Sequence, residues 1–115
     1  MKKSAFLTGR QGEAQAAEYL RRRGYRILEA GYRSRYGEND LIAEKRGIIA
    51  MVEVKTRGDD RFAQALEAVD GPKRRRIRLT ALQWLGQQEH EPQLRFDVIE
   101  VYPGGRIHHI EDAFE

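Results

Sequence analysis

The sequence contains no cysteine, which excludes disulfides and thiolate metal sites and leaves carboxylates, histidines and backbone carbonyls to hold any metal. Such donors suit a hard, oxygen-seeking cation. No apolar run approaches the length needed to cross a bilayer. The opening MKKSAFLTGR turns polar too soon to contain the apolar stretch of a secretory signal. The expectation is a cytoplasmic protein without membrane contact. Low-complexity tracts, internal repeats and long linkers are also missing. A chain of 115 residues, 40% hydrophobic and 34% charged, should therefore fold as one globular domain over residues 1–115. The net charge is only +3, but basicity is concentrated at Lys73, Arg74, Arg75, Arg76 and Arg78, and local density matters more than the total.

Helical spacing from about Ser4 to Arg23 places Glu13, Ala16, Ala17 and Leu20 on one stripe, with Gly24 as a left-handed stop. The alanines allow close approach to a sheet, and Glu13 travels inward with them. Tyr25 to Glu29 reads as a strand, and Gly31 and Gly37 bracket a loop rich in arginine and tyrosine. Glu38 to Glu44 and Ile48 to Lys55 flank Lys45-Arg46-Gly47 and should form an antiparallel hairpin. Gly58-Asp59-Asp60 reads as a loop, and Phe62, Ala65, Leu66 and Val69 as a short helix. Asp70-Gly71-Pro72 signals the start of a longer helix that ends at Gly86, with Trp84 in the core. Leu94 to Tyr102 and Arg106 to Ile110 complete the strands around Pro103-Gly104-Gly105. The pattern predicts an α/β fold with a mixed sheet.

Residues two apart on a strand share a face, so Glu38 accompanies Asp40, and Met51, Glu53 and Lys55 align on the next strand. If Arg46 and Gly47 form the turn, Lys45 pairs with Ile48, Asp40 lies opposite Glu53, and Glu38 lies opposite Lys55. Glu53 sits in IIAMVEVK, whose apolar run suits a strand buried on both faces. A buried carboxylate changes protonation state, finds a cation or binds metal. Lys55 cannot neutralise Asp40, Glu38 and Glu13 as well as Glu53, so the excess negative charge asks for a divalent ion. Magnesium, or manganese in its place, suits Asp40, Glu53 and the Val54 carbonyl, with Lys55 orienting or deprotonating a water and Glu13 as an outer ligand. An ion-pair network that only sets strand register would use the same residues, and spacing alone leaves the two readings level.

The order Asp40 then Glu53-Val54-Lys55 resembles the signature of the restriction-endonuclease-like PD-(D/E)xK nuclease superfamily. Within it, GRQGEAQAAEYLRRRGYRIL, GENDLIA, VEVKTR, Ala65 to Val69 and RFDVIEV together resemble the YraN family of small bacterial proteins over almost the whole chain. Glu13, Asp40, Glu53 and Lys55 are also similar to the set in archaeal Holliday-junction resolvases. The resemblance implies an αβββαβ core and Mg²⁺- or Mn²⁺-dependent hydrolysis of phosphodiester bonds, with DNA as partner, branched or damaged DNA included. Junction cutting would imply a homodimer. The alternative is a catalytically silent nucleic-acid-binding module of the same fold. Asn39 departs from the pattern, because that position is often proline in the superfamily and apolar in the YraN family.

Lys73, Arg74, Arg75 and Arg76 are candidates to grip phosphates, with a solvated helix face as the plainer reading. Arg33, Arg35 and Tyr36 mix cationic and aromatic groups before the hairpin, and Arg57 adjoins the site; these too are candidate nucleic-acid contacts. His108 and His109 are neighbours on a strand and face opposite ways, so they make a poor metal pair. Asp97 is expected to be tied within the sheet.

Overall fold

The computed structural model describes residues 8–57 and 70–115. The part of the first predicted helix before Thr8, the Gly58-Asp59-Asp60 loop and the short helix from Phe62 to Val69 lie outside them. Helix α1 (Gly9–Arg22) starts at Thr8. The Thr8 hydroxyl accepts the Gln11 N–H at 3.1 Å and the Gln11 side chain accepts the Thr8 N–H at 2.9 Å, satisfying two first-turn donors reciprocally. Gly24, at φ 92, lets the chain leave the helix.

Strands β1 (Arg26–Ser34), β2 (Gly37–Lys45) and β3 (Ile48–Thr56) precede helix α2 (Gly71–Leu85), which is followed by β4 (Gln93–Val101) and β5 (Ile107–Phe114). They form one five-stranded sheet in the order β1-β2-β3-β4-β5. The β3–β4 pair is parallel and the other pairs are antiparallel. This is the expected mixed sheet, with α2 in the connection that a parallel pair requires.

The helices cover opposite faces. Ala16, Ala17 and Leu20 of α1 pack on Leu41, Ala43, Ala50, Val52, Ile99 and Val101. Ala81 and Trp84 of α2 pack on Ile42, Ile49 and Met51, and Ile77 packs on Val98 and Phe114. Consecutive residues of β3 thus serve different helices, which is why its apolar run lacks alternation. Gly12 brings α1 against β3: a Cβ there would stand 2.5 Å from Thr56 Cγ2. Gly12→Ala is expected to destabilise the protein by about 1–2 kcal/mol in chemical denaturation, since overpacking outweighs the gain in helix propensity.

The β2–β3 hairpin has the expected register. Lys45 pairs with Ile48, and Arg46 and Gly47 take φ 53 and φ 81, as a two-residue turn of type I′ requires. Two expectations are corrected. The stretch after Gly31 is not a loop: β1 runs through Gly31, at φ 74, to Ser34, and only Arg35 and Tyr36 turn the chain. A left-handed glycine re-aims a strand without ending it. Strand β5 likewise runs past Ile110 to Phe114. Asp112 takes φ 54 within a register shift between Ile110 and Phe114, and Phe114 stacks on Phe96 with centroids 5.3 Å apart. No helix among the described residues is long and apolar enough to cross a membrane.

Candidate functional site

A cleft of about 320 Å³ opens where the β2–β3 hairpin meets the two helices. Glu13 enters from α1, Glu38 and Asp40 from β2, Glu53, Val54 and Lys55 from β3, and Lys73 and Arg76 from α2. Regular pairing of the hairpin runs out to Leu41 and Val52, one step before Asp40 and Glu53 would face each other. There the Asp40 carboxylate accepts the Val54 N–H at 2.8 Å. Asp40 therefore takes a main-chain donor of the neighbouring strand, which fixes its carboxylate beside Glu53. Glu38, expected opposite Lys55, pairs instead with Arg33 across β1 at 3.3 Å while still lining the cleft.

Glu53 is only 4% exposed. Its Oε1 lies 3.5 Å from Lys73 Nζ, and its Oε2 is buried with no hydrogen-bond partner among the described residues. Burial, reinforced by the charge of Asp40, pushes the Glu53 carboxyl up to about 7. Burial also raises Asp40, with the Val54 N–H acting against it and Glu38 adding to it. Glu13 is raised by burial and by the charges of Asp40 and Glu38. Burial lowers Lys55, as do the hydrogen bond from Lys73 and the charge of Lys73. Burial acts against the Lys73 ammonium too, but the bond to Lys55 and the pull of Glu53 and Asp40 outweigh it and raise Lys73. The two shifts have one origin: burial and Lys73 act against the Lys55 ammonium, while Glu53 and Asp40 favour the Lys73 ammonium.

Among the described residues, no three His, Asp or Glu side chains converge closely enough to enclose an ion. Of the four carboxylates that line the cleft, Asp40 and Glu53 lie deepest, and one Glu53 oxygen is buried and unbonded among the described residues. That donor set fits Mg²⁺ or Mn²⁺, which keep several waters and leave positions for phosphate oxygens.

The remaining predicted contacts separate. Lys73, grouped in sequence with the three arginines that follow it, belongs to the cleft, while Arg76 stands at its rim. Arg75 and Arg76 are exposed, and Arg74 lies 5.4 Å over the Phe114 ring. Arg35 is exposed and stacks over Tyr36 at 5.0 Å. Arg57 holds the fully buried Glu100 at 2.8 and 2.7 Å, so its charge answers an internal carboxylate. His108 and His109 do face apart. His108 Nδ1 lies 2.9 Å from Glu100, and His109 Nε2 donates to Asp97 at 2.8 Å. Asp97 also accepts both Arg95 nitrogens at 2.8 Å and the Asp112 N–H at 3.0 Å. Asn39, which departs from the family pattern, is fully buried, and neither amide atom is hydrogen-bonded among the described residues.

Sequence reasoning missed Lys73 at Glu53 and the partners of Glu100. The second had a signal: RFDVIEV places two acids in an apolar strand, and their odd separation sends them to opposite faces, each needing its own cation.

Fold and site together define a mixed α/β protein with a buried carboxylate–lysine cleft at the mouth of a β-hairpin. Residues 12–101 match the Uncharacterised protein family UPF0102, and the chain belongs to that family, the YraN family of the resemblance above. It is 42% identical to a UPF0102 protein of Persephonella marina, over 96% of both chains. It is 46% identical to one of Symbiobacterium thermophilum, over 86% of both. A UPF0102 protein of Rhodococcus opacus is 43% identical, over 92% of this chain and 94% of that one.

Proposed function

We propose that the cleft is the active centre of a divalent-metal-dependent nuclease that hydrolyses phosphodiester bonds in DNA. One observation carries this reading: Asp40, Glu53 and Lys55 share an open cleft in which a buried Glu53 oxygen has no partner among the described residues. A carboxylate retained only to fix strand register would have its oxygens satisfied. The resemblance to the PD-(D/E)xK superfamily and to archaeal junction resolvases supports the same assignment.

Asp40 and Glu53, with the Val54 carbonyl beside them, would hold Mg²⁺ or Mn²⁺, which polarises the phosphate and acidifies a bound water. Lys55, its ammonium disfavoured by burial and by Lys73, accepts the proton of the attacking water or orients it. Glu13 holds a water at the α1 side of the cleft. Arg76 at the rim, with exposed Arg75 and Arg35, draws the phosphate backbone in without reading bases.

The test is a cleavage panel over single-stranded, duplex, flapped and four-way DNA with Mg²⁺ and with Mn²⁺. Cutting is expected with either ion and none with chelator, and Lys55→Ala should slow it by about 10²–10⁴-fold. Salt-sensitive DNA binding without hydrolysis under any divalent ion would establish the silent binding module instead.

A further inference from the structure

Lys73 stands in the wrong place for an ordinary surface lysine. It lies in the first turn of α2, where no acidic residue is present and where the helix dipole disfavours a cation. Its own N–H is already capped by Asp70 at 3.0 Å, so its backbone serves the helix while its side chain leaves it. The side chain crosses to β3, is 30% exposed, and brings Nζ to 3.5 Å from Glu53 Oε1. There it also meets the Lys55 amine and neutralises the carboxylate that the metal reading assigns to a divalent ion.

We infer that Lys73 is a tethered stand-in cation, which occupies Glu53 in the metal-free protein and must be displaced when a divalent ion enters the cleft. This rests on the metal-dependent reading given above. Two positive charges cannot both sit against one buried carboxylate without strong repulsion, because the low-dielectric surroundings screen them poorly. Metal entry therefore has to break the Lys73–Glu53 contact. The lysine stem is long and flexible, so the released ammonium stays near the cleft mouth, where an incoming phosphate is the anion available to it. The lysine thus lowers metal affinity in the absence of substrate, and phosphate arrival relieves that competition.

Calorimetric titration of the full chain with Mn²⁺, without nucleic acid, tests this. Lys73→Met is expected to bind Mn²⁺ about tenfold more tightly than the wild type, the size of one partly screened charge interaction. Lys73→Arg and the remote control Arg78→Met should stay within about threefold, since neither takes charge from the cleft. The tighter binding should vanish in Lys73→Met combined with Glu53→Gln, which places it at Glu53. Circular dichroism confirms folding, and Lys73→Gln serves if the methionine variant fails to fold. Equal Mn²⁺ affinity in wild type and Lys73→Met overturns the inference and leaves the metal reading standing. An absence of Mn²⁺ binding in both overturns the two together.

Discussion

Glu53→Gln is expected to reduce metal-dependent cleavage by at least about 10²–10³-fold, the cost of losing a positioned charge at a reacting centre, while making the metal-free protein more stable at pH 8. The second effect follows from linkage. The Glu53 carboxyl is raised from 4.5 to about 7 in the folded protein, so between those values the folded chain holds a proton that the unfolded chain has released. Wild-type stability therefore falls as pH rises from about 4.5 to about 7 and levels off above. The loss reaches about 3 kcal/mol for a group this buried. Glutamine stays neutral throughout and avoids that loss. Urea denaturation should show the variant ahead by up to about 3 kcal/mol at pH 8 and level with wild type at pH 4. A purely structural Glu53–Lys73 pair predicts the opposite sign, because deleting one partner would leave the half-buried Lys73 ammonium without its counter-charge. The pair of measurements thus separates a functional carboxylate from a register-setting one.

Asp97→Ala is expected to destabilise the protein by about 3–5 kcal/mol at pH 7, the typical cost of breaking a buried, hydrogen-bonded ion pair. Asp97 is fully buried and accepts from Arg95, from His109 and from the Asp112 N–H. The ring behind it is tied in turn, since His109 Nδ1 lies 3.1 Å from the Tyr19 hydroxyl of α1. Truncation would therefore loosen both the β4–β5 pair and the seat of α1. Burial alone would raise the Asp97 carboxyl, but the bonds from His109, Arg95 and Asp112 outweigh it and hold it below 3.8. The stability it contributes is present above the unfolded value and is lost as pH falls through the folded one. The gap between variant and wild type in urea melts should accordingly narrow below about pH 3.8. Glu53 faces the α2 side of the sheet with Met51, whereas Asp97 faces the α1 side with Ile99, so Mn²⁺ affinity measured well below the melting temperature should change little.

The elements that hold the site could be read from the chain because each rests on local rules. Arg46-Gly47 between two apolar strands dictates a two-residue turn and hence the register of Lys45 with Ile48. Strand parity then sends Glu53 and Lys55 to one face, and the alanine stripe with Glu13 orients α1. The sequence also made Glu53 anomalous, a carboxylate inside IIAMVEVK, before any neighbour was known. Where β1 and β5 end was not legible, since Gly31 and Asp112 break the alternating pattern while the backbone continues through them at positive φ.

What only the tertiary structure decided is how the charges divide. Lys73, Arg74, Arg75 and Arg76 are consecutive and chemically alike in the sequence, yet one reaches Glu53, one covers Phe114 and two face solvent. Arg57 looked like a phosphate contact until Glu100, far along the chain, came to lie beside it in β4. Helical and strand periodicity decide which way a side chain points. The partner it meets depends on which surfaces the fold brings together, and that depends on packing across the whole sheet.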